Sequence, residues 1–431
     1  MEIKFFAATD VGLQRDHNED NYLVDRKLHL FVVADGMGGH AAGEVASQIA
    51  VHTVCRTVRE NADVIERHRD APDTPTARQE ILAVMEHAIQ SATCEVYRRA
   101  QEDVDKRGMG TTCSVLLLIG ARGFIAHVGD SRIYLVRQGQ VHQITEDHSL
   151  LNELVRRGKL KREEIESSPY AKYKNAVTRA VGAYETVEAD TLDFEVLPGD
   201  QFLMCSDGLH AYLKDKDIRD ILNGQDIADS PKKMIALANS GGGHDNITAI
   251  VVRVDSPDPA QYAARANELA NKVAVLKGMP LFRHLNYKEV IRVLNVTTVL
   301  EFDAGEDIIR EADPGEDLFV ILNGRVRLHR DGRLITELQR GAHFGEMALV
   351  DRSPRSASAT AEDRTRVLCL RRRDFFDILR KEAPLAVKLL WSFTQVLTER
   401  LRKTTAELSV SRTEQSSPGD GDGIDEVVNF E

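Results

Sequence analysis

Three apolar runs in this 431-residue chain each end in an aspartate followed by a small residue. They are Leu-Phe-Val-Val-Ala-Asp35-Gly36, Ile-Ala-His-Val-Gly-Asp130-Ser131 and Phe-Leu-Met-Cys-Ser-Asp207-Gly208. A fourth aspartate, Asp245, stands between His244 and Asn246, directly before the apolar run Ile247–Val254, and Glu19-Asp20 follow closely after Arg15. Any one Asp-Gly is ordinarily a plain turn. Several such sites in one segment change the reading, because like charges gathered at strand ends need a compensating positive charge. Hard divalent cations prefer oxygen ligands, and Mg²⁺ or Mn²⁺ keeps several waters, so few direct protein ligands are needed. Two such ions about 3.5–4 Å apart can activate a bridging water and polarise a phosphoryl oxygen. Arg15 can offer a bidentate guanidinium to a phosphate. The residues point to metal-assisted phosphoester hydrolysis.

A second group lies far along the chain, in Phe344-Gly345-Glu346-Met347-Ala348-Leu349 and the following stretch to Arg355-Ser356-Ala357. Gly345 lets backbone N–H groups approach an anion at the start of a short helix. Glu346 can accept from a sugar hydroxyl, and Arg355 can make a charge-assisted contact to a phosphate with Ser356 as a neighbouring donor. On spacing alone the same residues also fit a polar loop in which Glu346 and Arg355 pair with each other.

The elements that must position these groups differ between the two parts. Up to about Asp255, strands predicted at Leu28–Ala34, Thr112–Ile119, Gly123–Val128, Ile133–Arg137, Gln201–Cys205 and Ile247–Val254 mix with amphipathic helices at about Gly43–Asn61 and Thr76–Glu102. The strands come in groups, so a mixed α+β sandwich fits better than a parallel doubly wound sheet. Ser256-Pro257-Asp258-Pro259 breaks the pattern, and a helix is predicted over Gln261–Lys277. From Val296 to Leu370 short strands alternate with turns, among them Asn323-Gly324 and Asp331-Gly332, which read as two-residue hairpins of a small all-β roll. Helices follow near Arg373–Arg380 and Pro384–Thr405, and the Gly/Ser-rich remainder reads as disordered.

Composition excludes other classes. With 56 Lys+Arg against 68 Asp+Glu the formal charge is −12, which argues against broad charge-driven binding to nucleic acid or anionic membrane. No apolar run reaches the roughly 18 residues of a spanning helix, and the N-terminus lacks the features of a signal peptide, so a cytoplasmic protein is expected. The charge is −10 over residues 1–255, +4 over 256–405 and −6 over 406–431. Cys55, Cys94, Cys113, Cys205 and Cys369 have no zinc-site or redox spacing and read as reduced, buried thiols.

Taken in order, Thr9-Asp10-Val11-Gly12, Arg15, Asn18-Glu19-Asp20, Val33-Ala34-Asp35-Gly36-Met37-Gly38-Gly39, Gly110-Thr111-Thr112, Gly129-Asp130-Ser131-Arg132, Ser206-Asp207-Gly208 and Asp245-Asn246 form a long ordered set. The set resembles the bacterial branch of the metal-dependent serine/threonine protein phosphatases of the 2C type, over about residues 1–255. The resemblance implies an αββα sandwich of two antiparallel sheets flanked by helices, with two Mn²⁺ or Mg²⁺ at one end. It implies that Asp35 bridges both metals, that Gly36 offers its carbonyl to one, and that Asp207 and Asp245 complete the other. Glu19 and Asp20 would act through metal-bound water, Asp130 would serve a third, weaker metal, and Arg15 would bind the substrate phosphate. Residues 147–174 resemble the mobile flap of that family, with Ser168–Asn175 departing from the shorter stretch expected. Met37 stands where eukaryotic relatives often carry the His proposed as general acid, which leaves that acid unassigned. His40 and His148, close to these motifs, read as structural or solvent-facing.

Residues 344–359 resemble the phosphate-binding cassette of cyclic nucleotide-binding domains, a similarity that extends over roughly 275–405. It implies cAMP or cGMP, with Glu346 on the ribose 2′-hydroxyl, Arg355 on the cyclic phosphate, and Gly345 and Ser356 beside it. Trp391 reads as core, although the final helix, with Arg400 and Arg402, could cap the base. Only about 26 residues follow Thr405, too few and too polar for a helix-turn-helix, so no nucleic-acid partner is expected. Arg371-Arg372-Arg373 reads as a solvated face or a domain contact. The expected division is a phosphatase domain over 1–255, a linker and connecting helix over 256–274, a nucleotide-binding domain over 275–405 and an acidic disordered tail over 406–431. The expected activity is hydrolysis of phosphoserine and phosphothreonine in the substrates of a partner Ser/Thr kinase, under nucleotide control. The alternatives are an inactive phosphatase-fold scaffold presenting the sensor, or an active phosphatase whose β-roll only dimerises.

Overall fold

The protein is described here by a computed structural model, covering residues 2–38, 42–70, 73–224, 226–255, 259–351 and 353–415. The chain opens with β1 (Glu2–Asp10), β2 (Asp20–Asp25), β3 (Leu30–Met37), α1 (Ala42–Glu60), α2 (Ala62–Asp70) and α3 (Pro75–Glu102). It continues through β4 (Gly110–Thr111), β5 (Cys113–Ile119), β6 (Arg122–Val128), β7 (Arg132–Arg137), β8 (Gln140–Gln143) and α4 (Leu150–Arg156). Then come β9 (Asp190–Glu195), β10 (Gln201–Cys205), α5 (Asp207–His210), α6 (Asp215–Leu222), α7 (Ser230–Ser240) and β11 (Ile247–Asp255).

These strands form two antiparallel sheets, one in the order β1-β11-β10-β7-β8 and one in the order β2-β3-β5-β6-β9, with β4 paired to β3. Side chains alternate across each strand, and both faces are covered. In β3, Phe31 and Val33 enter the core between the sheets, while Leu30, Val32 and Ala34 lie under α1 and α3. In β10, Phe202 and Met204 face inward, while Leu203 and Cys205 pack against α5–α7. Continuous apolar runs are what such doubly covered strands require. The result is an αββα sandwich. At the start of α3, the Thr74 hydroxyl accepts from Ala77 N–H, and Pro75 sits where its missing N–H costs nothing.

The chain goes on through α8 (Pro259–Gly278), α9 (Tyr287–Asn295), β12 (Thr297–Phe302), β13 (Asp307–Ile309), β14 (Asp317–Asn323), β15 (Arg325–Arg330), β16 (Arg333–Gln339) and β17 (His343–Phe344). It ends with α10 (Met347–Val350), β18 (Ser358–Ala361), β19 (Thr365–Arg371), α11 (Arg372–Lys381) and α12 (Ala383–Gln415). The strands make two four-stranded sheets, β12-β19-β14-β17 and β13-β18-β15-β16, the β-roll expected from the turn spacing.

Several sequence expectations change here. Asp331 and Gly332, at φ of 49° and 76°, join β15 to β16 as a two-residue hairpin. Asn323-Gly324 does not form one, because β14 pairs with β19 and β17 while β15 pairs with β16 and β18. Only Gly324 takes a positive φ, 93°, so the tight hairpin turn, which needs two such residues, gives way to a corner between sheets. Trp391 is not core but 61% exposed on α12, in line with Val387, Leu390, Leu397 and Leu401. Helix α12 runs to Gln415, so residues 406–415 are helical rather than part of a disordered tail, with no Gly or Pro to stop them before Pro418. Residues 416–431 of that expected tail, the linker residues 256–258, and His40 lie outside the described residues. Cys94 is exposed on α3, unlike the other four cysteines. Among the described residues no helix is long and apolar enough to cross a membrane.

Candidate functional site

The register of β2 on β3 places Asp20 directly opposite Asp35, an arrangement that like charges disfavour. The backbone at Asp35 is fixed by β4 and β5: its N–H donates to the Thr112 hydroxyl (2.9 Å), and its carbonyl accepts from the Thr111 hydroxyl (2.8 Å) and from Thr112 N–H (2.9 Å). A Cβ at position 36 would come 2.1 Å from the Gly43 carbonyl and 2.6 Å from that of Glu19, so only glycine lets α1 and the Glu19 loop close on this strand end. A Cβ at Gly208 would come 2.1 Å from the Asn246 carbonyl. That close approach brings Asp207 beside Asp245.

Asn246 ties the loops together. Its Nδ2 donates to the carbonyls of Val11 (2.9 Å) and His17 (2.8 Å), and its Oδ1 accepts from Glu19 N–H (2.8 Å). Arg15 Nη2 pairs with Asp245 Oδ2 at 2.8 Å. The Glu19 carboxylate accepts from Gly43 N–H at the start of α1, where negative charge is favoured. Ser206 donates to Asp20 Oδ2 (2.7 Å), while Asp20 Oδ1 is buried with no hydrogen-bond partner among the described residues.

Burial and mutual repulsion act together on these acids. Burial raises the Asp20 carboxyl to about 7, with Asp207 and Asp245 adding to the rise. Burial likewise raises Asp130 to about 7, aided by Asp207 and Asp147. Asp35 is pushed well above the usual carboxylate range by burial and then by Asp20, Asp207, Asp130 and Asp245, and Asp207 is raised by burial and Asp245. This is the pattern of like carboxylates that share one desolvated site. The residues fit divalent metal: the donors are hard oxygens, one buried oxygen is orphaned, and at Asp245 the Arg15 guanidinium already stands in for a cation. Among the described residues no three acidic, His or Cys side chains close on one point as a full ligand set. Ions that keep several waters and can use the Gly36 carbonyl do not need three.

A pH dependence follows. A carboxyl whose folded pKa lies above its unfolded value near 3.8 contributes stability that is complete below 3.8 and is lost as pH rises through about 7. Buried His127 and half-buried His142 and His210, held down to about 3, 4 and 4 by desolvation, act in the opposite sense below about 6.5. They are neutral above pH 5.5 with or without metal, so they cancel in a difference. Mn²⁺ relieves the carboxylates, so the rise in melting temperature from EDTA to Mn²⁺ is expected to be larger at pH 8 than at pH 5.5 by several degrees, about 2–4 °C for each kcal/mol. Equal rises at both pH values would contradict the carboxylate assignment.

Asp130 sits one residue after Gly129, whose φ of +109° and closeness to Thr112 (2.5 Å from a Cβ) exclude a side chain. Its carbonyl contacts His210 Nε2 at 2.9 Å. A cleft of about 640 Å³ runs from Asp130 and Asp207 past Asp147, Arg162 and Lys174 of the flap segment to Lys288 of α9. Arg132 clamps Asp147 through two bonds of 2.8 and 2.6 Å, which fixes one end of that segment. His148 is buried, as a structural role requires, and is not solvent-facing.

In the β-roll, Gly345, Glu346, Arg355 and Ser356 line one cavity of about 420 Å³ with Leu328 and Leu338. Gly345 (φ 78°) and Gly315 leave room for the Arg355 guanidinium, which a Cβ at Gly315 would meet at 2.1 Å. Arg355 is 8% exposed, and its only hydrogen bond from the guanidinium among the described residues is a long one to the Gly345 carbonyl (3.5 Å). The loop pairing of Glu346 with Arg355 therefore does not consume its donors. Arg372, from the basic cluster, donates to the carbonyls of Ala348 and Asp351 and holds the end of α10, a contact within the β-roll rather than the solvated face or domain contact expected.

Sequence reading passed over Asn246, Ser206, Thr112 and His210 as functional residues, although three of them stand inside motifs it singled out. For Asn246 and Ser206 the signal was adjacency to an acid at a strand end; Thr112 and His210 carry no such neighbour.

Residues 14–246 match the family Protein phosphatase 2C, and residues 299–382 match the family Cyclic nucleotide-binding domain. The chain is 36% identical over 261 residues to Serine/threonine protein phosphatase PstP of Mycobacterium tuberculosis (strain H37Rv), covering 61% of this chain and 47% of that protein. It thus spans about half the length of that relative. It is 35% identical over 263 residues to Protein phosphatase PhpP of Streptococcus pneumoniae, covering 60% of this chain and 99% of that protein. Among solved structures it is similar to the M. tuberculosis serine/threonine phosphatase PstP/Ppp (TM-score 0.51, 34% identity, 59% of this chain, 99% of that chain). It is also similar to the S. agalactiae serine/threonine phosphatase (TM-score 0.51, 36% identity, 59% and 100%). With more than half of its length in the match, and with Asp20, Asp35, Asp207 and Asp245 gathered at one end of an αββα sandwich, this chain belongs to the protein phosphatase 2C family and carries a C-terminal cyclic nucleotide-binding domain.

Proposed function

We propose that this chain is a cytoplasmic phosphoprotein phosphatase that uses Mn²⁺ or Mg²⁺ to hydrolyse phosphoserine and phosphothreonine left by a partner Ser/Thr kinase. We propose further that cAMP or cGMP in the β-roll cavity sets its rate. In this reading residues 1–255 catalyse, 256–274 connect and 275–405 sense. The observation that carries it is the group of mutually repelling aspartates Asp20, Asp35, Asp207 and Asp245, in which the close ion pair among the described residues is that of Arg15 with Asp245.

Asp35, the Gly36 carbonyl, Asp207 and Asp245 would hold two ions, with Glu19 and Asp20 reaching them through water and Asp130 serving a third, weaker position. When bound, the ions supply the charge that acidifies an attacking water and polarises the phosphoryl group. Arg15, half-exposed beside Asp245, can turn from it to the substrate phosphate. The cleft between Asp207 and the flap segment would seat the peptide on either side of the phosphorylated residue.

The test is phosphate release from a phosphothreonine peptide with Mn²⁺, with and without cAMP or cGMP. Release that requires Mn²⁺ and changes with nucleotide is expected. No release with a range of metals and phosphopeptides would favour an inactive scaffold. Unchanged rates despite measured nucleotide binding would sink the coupling. A second reading, in which the β-roll only dimerises an active phosphatase, draws on the exposed row Val387, Leu390, Leu397 and Leu401, spaced for a helix pair. Calorimetry with cAMP and cGMP separates the two, since a dimerisation module returns no binding heat.

A further inference from the structure

Helix α9 belongs to two cores at once. Val290 and Val293 pack in the core of the second domain, whereas Ile291 packs between the sheets of the phosphatase sandwich. Its polar side chains divide the same way. Glu289 pairs with Lys388 of α12 at 2.8 Å, and Arg292 with Glu382 just before α12. Toward the sandwich, Arg137 donates to the Tyr287 hydroxyl (3.0 Å), Arg292 donates to the Thr191 carbonyl (3.1 Å), and Asn295 donates to that of Asp193 (2.7 Å).

Lys288 is the residue of this helix that leads to the metal centre. Its side chain is 8% exposed, and its ammonium donates to Asp190 Oδ2 at 2.9 Å. The other Asp190 oxygen faces His148 Nε2 at 3.3 Å and Arg179 Nη1 at 3.1 Å. His148 Nδ1 accepts the Gly129 N–H (3.1 Å), which assigns the ring proton to Nε2, directed at Asp190. The His148 backbone N–H in turn donates to the Gly129 carbonyl (2.8 Å). Gly129 is the residue before Asp130. Lys288 also lines the cleft that Asp130 and Asp207 open into.

We propose that Lys288 is a positioning residue lent by the second domain to the candidate metal centre, holding Asp130 in place through Asp190, His148 and the Gly129 turn. The proposal rests on the phosphatase reading for its meaning but not for its test. Because α9 is also tied to α12 through Glu289 and Lys388, a shift of α12 is passed to Lys288 and so to Asp130. By linkage, cyclic nucleotide then changes Mn²⁺ affinity in the wild type and ceases to do so when Lys288 is removed.

The experiment is calorimetric titration of the full chain with Mn²⁺, with circular dichroism as the check on folding. Lys288→Met is expected to weaken the weakest Mn²⁺ step of the isotherm, the one assigned to Asp130, by about tenfold, the scale of lost outer-shell support, and Lys288→Arg to restore it. Should Lys288→Met fail to fold, Lys288→Gln serves with the same expected loss. The double variant Lys288→Met/Asp190→Asn should bind no more weakly than Asp190→Asn alone, since both act through one chain of contacts. A Lys288→Met or Lys288→Gln isotherm equal to that of the wild type, failure of Lys288→Arg to restore binding, or additive losses in the double variant would overturn the proposal. Absence of peptide hydrolysis by the wild type would count against the phosphatase reading alone, because the Mn²⁺ isotherms remain readable.

Discussion

Replacing Asp35 by Asn is expected to lower Mn²⁺-dependent phosphate release by at least about 10³-fold while raising the melting temperature of the metal-free protein at pH 8. The two effects have one cause. Asp35 faces Asp20 across β2 and β3 and is pushed toward its protonated form by burial and by Asp20, Asp207, Asp130 and Asp245. Asparagine has nearly the same shape and removes one of the converging charges, so the metal-free site loses repulsion and gains stability. It also removes the carboxylate proposed to bridge both ions, a loss at least as large as the 10²–10³-fold cost of deleting a single preorganised donor. A purely structural aspartate behaves in the opposite way, losing stability on substitution with little change in turnover. Thermal melts in EDTA at pH 8, paired with peptide turnover in Mn²⁺, read both arms. Destabilisation with activity retained would remove Asp35 from the centre.

The same physics explains what could be read from the chain alone. An apolar run ending in Asp-Gly or Asp-Ser is visible as such, because a strand buried on both faces must stay apolar until it leaves the sheet. Asp35, Asp130 and Asp207 were therefore found by their contrast with what precedes them. The contacts that fix these acids span long distances in sequence, and no local pattern encodes them. Asn246 bridges to Val11 and His17, Ser206 to Asp20, and Lys288 to Asp190. Lys288 in particular stands in an ordinary amphipathic helix, and only docking of that helix on β9 buries it.

The failures in the second domain have a related origin. Asn323-Gly324 carries the chemistry of a hairpin turn, but the roll closes by β14–β19 and β15–β18 pairing, so tertiary pairing overrides the local preference. Trp391 was assigned to a core from its place on an apolar face, yet Leu385, Leu389 and Phe393 occupy the buried side of α12 and leave Trp391 on the other. A helix with apolar residues on more than one side does not declare from its sequence which side is covered.

Arg355→Met is expected to weaken cyclic nucleotide binding by about 30-fold or more without lowering the melting temperature of the nucleotide-free chain. Arg355 mirrors Asp35 with the sign reversed. Burial draws the guanidinium pKa down, only partly offset by Asp317 and Glu346, and among the described residues its side chain has one long bond to the Gly345 carbonyl. The loop does not depend on that side chain. Its backbone is held by Arg355 N–H to the Asp313 carbonyl (3.0 Å) and Ala312 N–H to the Arg355 carbonyl (2.8 Å). Methionine keeps an apolar stem beside the Phe319 ring, over which the guanidinium lies at 5.8 Å, and relieves the chain of a poorly satisfied buried cation. A bound cyclic phosphate, by contrast, loses the charge-assisted partner in a desolvated cavity, a change worth about 2–5 kcal/mol. Calorimetry with cAMP and cGMP measures the first effect, and a nucleotide-free thermal melt measures the second. If binding survives and stability falls, Arg355 serves the loop rather than the ligand, and the cavity of the β-roll takes something other than a cyclic phosphate.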